Sequence, residues 1–115
     1  GLQGDRHALG LAVLKGAGFL RGEVKDLLAA SGSPQPDNWR IELDYHFGGY
    51  AKTRPELLDF IRRFEAAHAI PLEPVYTGKL MFGLYNLLAA GRFQSGQTVL
   101  ALHSGGLQAR VGCGV

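Results

Sequence analysis

The chain has 115 residues, 46% hydrophobic and 19% charged, a globular balance sized for one small domain. Twelve Lys+Arg against ten Asp+Glu leave +2 with no basic block, which argues against a nucleic-acid surface, and no apolar run is long enough to span a membrane. With no secretion-signal pattern and a lone Cys113 that has no internal disulfide partner, a reducing, cytoplasmic setting is expected.

Residues 7–15, HALGLAVLK, form a short apolar run before Gly16-Ala17-Gly18 and predict a buried strand. A helix follows over 19–32, with Leu20, Val24, Leu27 and Leu28 on one stripe and Gly32 as its stop. After a turn-rich connector at 33–38, WRIELDYHF (39–47) alternates apolar and polar residues and reads as a second strand. Gly48-Gly49-Tyr50 is a flexible loop. Thr53 and Glu56 have the spacing of a capping box for the next helix, whose inner stripe is Leu57, Leu58, Ile61, Phe64 and His68.

Pro71 and Pro74 stop that helix. Residues 78–91 are apolar almost all round, predicting a buried helix closed by Gly91. Residues 98–106, TVLALHSGG, read as a buried strand running into a Gly-rich turn. Strands alternating with helices imply an open parallel sheet with helices on both faces, a partial doubly wound α/β unit over 1–115. Ligands of such sheets sit beyond the strands' carboxyl ends, here at 16–18, 48–49 and 105–106. The chain opens at Gly1 without Met and closes on GCGV, so a piece of a larger protein is expected.

Gly78-Lys79 does not complete a phosphate loop, because Glu73 and Leu80 occupy the positions that need Gly and Ser/Thr. Gly16-x-Gly18 lacks its third glycine, since position 21 is Arg21. Lys79 fits either an imine-forming amine or a lysine snorkelling to solvent, and the second is favoured. Tyr76 and Thr77 lie where the free N–H groups of the helix start point into the loop. Thr77 as N-cap and Tyr76 as core filler are the structural alternatives. Leu102-His103-Ser104-Gly105-Gly106 lacks the first glycine of a nucleophile elbow. His7, His46, His68 and His103 have no metal-ligand spacing.

LDYHFGGYAK (43–52), PLEPVYTGK (71–79) and LALHSGGLQ (100–108), in this order, resemble the D-cysteine desulfhydrase and 1-aminocyclopropane-1-carboxylate deaminase family. LGLAVLKGAGFL (9–20) is similar to that family's strand and loop after its phosphate-binding segment. The resemblance covers 9–108. It implies a pyridoxal 5'-phosphate enzyme of the tryptophan synthase β fold type, a homodimer when whole, acting on a small amino acid. Tyr50 and Tyr76 are then the expected catalytic residues, handling substrate protons, with Tyr76 also stacked on the pyridine ring. Ser104 stands where the family has a threonine that hydrogen-bonds the pyridine nitrogen, with Gly105 beside it, and Thr77 belongs to the cofactor turn.

The deaminase branch carries Glu where this chain has Thr77. A neutral partner leaves a weaker electron sink, which suits β-elimination of D-cysteine to pyruvate, sulfide and ammonia. The family's cofactor lysine and phosphate loop belong to an upstream segment, so the chain is expected to be inactive alone, as the C-terminal part of a large domain. The alternative is a non-catalytic α/β module that binds a small anion at the bare helix start, or a partner chain at an open sheet edge.

Overall fold

A computed structural model describes residues 6–112, so Gly1 and Cys113 lie outside the described residues. Strand β1 (Ala8–Leu11) pairs in parallel with β2 (Trp39–Glu42), with Ala8 opposite Trp39 and Leu11 opposite Glu42. Hydrogen bonds from Ala8 N to Asn38 O and from Ala12 N to Glu42 O, both 2.9 Å, frame the pair. Parallel strands need a crossover, and helix α1 (Leu20–Ala30) supplies it after a 3-10 turn at Ala17–Phe19. Arg21 Nη2 ties α1 to β2 by donating to Ile41 O at 3.1 Å.

Gly32, at φ +78°, ends α1 as expected. The predicted stripe is only partly covered: Leu20, Val24 and Leu28 are half-buried, whereas Leu27 is 70% exposed. Both strands are also shorter than their apolar runs, because each extends only as far as its partner's ladder.

Helices α2 (Pro55–His68) and α3 (Thr77–Ala89) pack together and enclose the core of Phe47, Leu57, Ile61, Phe64 and Leu72. Phe82 of α3 meets Phe47 edge-on at 4.8 Å and Phe60 at 5.4 Å. Where α3 crosses β1, Gly83 lies against the Leu11 side chain, and a Cβ there would stand 3.0 Å from the Tyr45 ring. His68 is exposed rather than inward, with its ring 4.6 Å from Phe64. The Thr53 capping box does not form. Arg54 is the N-cap of α2 with no side-chain cap, because Pro55 occupies the first helical position.

The strand expected at 98–106 is absent. Residues 98–106 are irregular, and Leu100 is 92% exposed. A strand needs a neighbour presenting aligned N–H and C=O groups. Among the described residues the sheet has two strands only, β1 and β2, so the full doubly wound sheet is not formed there. Instead, His103 Nε2–H donates to Pro71 O at 2.8 Å, and Gly105 N–H donates to His103 Nδ1 at 3.1 Å. The first bond holds the segment to the turn before α3, and the second fixes the His103 ring within the segment.

Candidate active site

The start of α3 is organised by Glu73, which sequence reasoning met only as a mismatch to the phosphate-loop pattern. Its side chain is fully buried. The carboxylate reaches over Pro74, which has no N–H, and accepts from the next three amides. Oε2 takes Val75 N–H at 2.6 Å, both oxygens take Tyr76 N–H at 2.9 and 3.0 Å, and Oε1 takes Thr77 N–H at 2.6 Å. Thr77 Oγ1 in turn accepts Glu73 N–H at 3.0 Å. A carboxylate is therefore seated on the positive end of the helix.

Two expectations are corrected by this arrangement. The helix start is not bare, since Glu73 takes its amides. Thr77 is buried and lies one residue inside the helix, while Tyr76 occupies the N-cap position. The available sequence signal was an acidic residue followed by proline and a hydroxyl four positions on.

Lys79 does not snorkel. It is fully buried, and its Nζ donates to His46 O at 2.7 Å and Gly49 O at 3.0 Å. Burial pushes its pKa below the ordinary 10.5, and the charge of Glu73 opposes that shift. Lys79, Gly83 and Leu87 recur at i, i+4 and i+8 and are all buried, so helical spacing alone could have placed the lysine inward.

The loop gripped by Lys79 delivers Tyr50 to Tyr76. Their hydroxyls are 2.8 Å apart and their rings 6.0 Å apart at 64°. Both rings remain open to solvent, at 53% and 45% exposure. The hydrogen bond with Tyr50 is the first cause that raises the Tyr76 pKa above 10.0, followed by desolvation and by repulsion from Tyr50 and Glu73. A phenol raised in this way keeps its proton at neutral pH.

Ser104 is exposed, and a Cβ on Gly106 would sit 3.6 Å from Glu73 Oε1. The Ser104-Gly105-Gly106 turn thus abuts the carboxylate that holds Tyr76 N–H. The three motif segments, far apart in sequence, meet around Glu73 and Lys79. An apolar cleft of about 240 Å³, lined by Phe64, Leu72, Met81 and Leu102 among others, adjoins the site through Thr77 and His103, and neither tyrosine lines it. Among the described residues no three or more His, Cys, Asp or Glu side chains gather so as to hold a metal ion, and no helix is long and apolar enough to cross a membrane.

Fold and site together define an α/β unit with a paired-phenol site at the start of α3. That helix is buried on one face and not all round as its composition predicted, since Tyr85 and Leu88 are 41% and 47% exposed. No family model matches the chain. It is 34% identical over 110 residues to a protein of Pyrococcus furiosus provisionally named 1-aminocyclopropane-1-carboxylate deaminase, covering 92% of this chain and 33% of that one. A Pyrococcus horikoshii protein of the same provisional name is 35% identical over 85 residues, 74% of this chain and 24% of its own length. An Arabidopsis thaliana protein is 35% identical over 60 residues, covering 51% of this chain and 15% of its own. That protein is named bifunctional D-cysteine desulfhydrase/1-aminocyclopropane-1-carboxylate deaminase, mitochondrial. The chain belongs to the D-cysteine desulfhydrase and 1-aminocyclopropane-1-carboxylate deaminase family. It spans a third or less of the length of these relatives.

Proposed function

We propose that the chain is the C-terminal part of the large domain of a pyridoxal 5'-phosphate-dependent D-cysteine desulfhydrase-like lyase, cytoplasmic and homodimeric when whole. The convergence of the three motif segments on Glu73 and Lys79 carries this reading. It gathers two exposed phenols and an exposed serine hydroxyl on neighbouring turns, a set suited to a flat, polar cofactor. In the whole domain, further strands would extend the two-stranded sheet into the open doubly wound form.

In this reading Tyr76 and Tyr50 touch the substrate and the cofactor, and Ser104 with Gly105 meets the pyridine edge. Thr77, being buried, supports the turn through Glu73 N–H rather than reaching the ligand with its hydroxyl. The bound cofactor supplies an electron sink for carbanion chemistry. The paired phenols hold a proton at the Tyr76 oxygen and relay it between the two hydroxyls. The balanced reaction converts D-cysteine and water to pyruvate, sulfide and ammonia. No carboxylate is offered at position 77, and Glu73 is spent on backbone amides, which favours elimination of thiolate over opening of a cyclopropane ring. The non-catalytic anion-binding alternative loses its motivating feature for the same reason.

The test measures sulfide and pyruvate release from D-cysteine, with pyridoxal 5'-phosphate added, by the whole protein that carries this segment. Release by the wild type, and a loss of about 100-fold or more in Tyr76→Phe, are expected. Full activity in both Tyr50→Phe and Tyr76→Phe, or action only on 1-aminocyclopropane-1-carboxylate, overturns the reading. The 115-residue chain alone is expected to be silent.

A further inference from the structure

We infer that Lys79 is a positioning residue: its buried amino group, which has N–H donors for the carbonyls of both His46 and Gly49 whether charged or neutral, fixes the 46–50 loop so that the Tyr50 hydroxyl stays aligned with that of Tyr76. The loop requires such a tie. Phe47 at φ +56° and Ala51 at φ +58° are non-glycine residues in the left-handed region, and Gly48 and Gly49 between them stand at +102° and +136°. Glycine adopts such conformations freely, but Phe47 and Ala51 would seldom hold them unless their surroundings imposed them. Phe47 anchors one end in the core, while Tyr50 projects outward and has no comparable anchor. Lys79 binds the carbonyl just before Phe47, that of His46, and the carbonyl just before Tyr50, that of Gly49. It stands three positions after Tyr76 on the same helix start, so one rigid element carries one phenol and holds the loop of the other.

Removing the ammonium does not orphan the carbonyls. His46 O also accepts Gly49 N–H at 3.2 Å, and Gly49 O accepts Lys52 N–H at 3.0 Å. A Lys79→Met variant therefore keeps the stem and the local turn bonds, and loses only the link from loop to helix.

The inference rests on the proposed function for its catalytic meaning, but its test uses neither cofactor nor substrate. Phenolate absorbance is followed against pH in the protein, in Tyr50→Phe and in Lys79→Met, with Ile61→Val as a destabilised control. Three results are expected. The raised Tyr76 titration falls in Lys79→Met to its position in Tyr50→Phe, the double variant falls no further, and the control is unmoved. An unchanged Tyr76 titration in folded Lys79→Met overturns the inference. Should Lys79→Met not fold, the wild type decides by nuclear Overhauser contacts: contact between the Lys79 ε-methylene and Gly49 α protons is expected, and its absence overturns the inference. Loss of D-cysteine activity as a premise would leave this titration result intact, so the two failures are distinguishable.

Discussion

The hydroxyls of Tyr50 and Tyr76 stand 2.8 Å apart across 26 residues of sequence, one carried by a loop and the other by a helix start. Because this contact is the first cause of the raised Tyr76 pKa, Tyr50→Phe is expected to lower that titration toward 10.0. The sign for stability follows. A folded value above the unfolded one means that the native state holds the proton longer, so the contribution is present below 10.0 and lost as pH rises through the folded value. Alkaline unfolding followed by circular dichroism should show a shallower loss in Tyr50→Phe, and an identical profile would refute the assignment.

Lys79 predicts the opposite slope. Its folded pKa lies below 10.5, so between the two values the unfolded chain binds more protons and stability from this group rises with pH. Below the folded value the desolvation cost is carried in full. Urea unfolding of wild type and Lys79→Met, compared from neutral pH up to 10.0, should show the wild type gaining relative to the variant. A constant difference would mean that Lys79 is not desolvated.

Glu73→Ala is expected to cost about 2–4 kcal/mol, since it strips three amides at the start of α3 of their acceptor. Glu73→Gln, which keeps one acceptor oxygen, should cost less. Equal urea midpoints for Glu73→Ala and wild type would mean that the carboxylate is not the cap.

Gly78→Ala tests the close approach of α3 to its neighbours. A Cβ at Gly78 would lie 2.6 Å from both Glu73 O and Ile61 Cδ1. One of these contacts is backbone, so relief requires moving the capping turn, and a loss of about 1–3 kcal/mol is expected. Thermal unfolding decides it, and a neutral result would show that the turn yields freely.

Leu100→Ser should change the stability of this chain by less than about 0.5 kcal/mol, because Leu100 is 92% exposed and unpaired in any sheet. A loss of several kcal/mol, read from the same unfolding curves, would mean that 98–106 is a buried strand after all.

The helices were legible from sequence because their signals are local. The stripe of Leu57, Ile61 and Phe64, the glycine stops at Gly32 and Gly91, and the parallel βαβ order each depend on residues within a few turns of one another. The family resemblance was also legible, carried by short strings in order, and it singled out Tyr50 and Tyr76. The strand at 98–106 was misread because apolar composition says that a segment can be buried, not that a neighbouring strand lies beside it.

Only the tertiary structure decided how the site is held. Thr77 fits a cap by residue type, yet the cap is the Glu73 carboxylate folded back over Pro74. Lys79 is charged and reads as exposed, yet the carbonyls of His46 and Gly49 converge on its ammonium and satisfy it indoors. Polarity and periodicity describe a residue's own stretch of chain. Whether a buried charge is tolerated depends on acceptors brought from 30 or more residues away, and no local pattern records them.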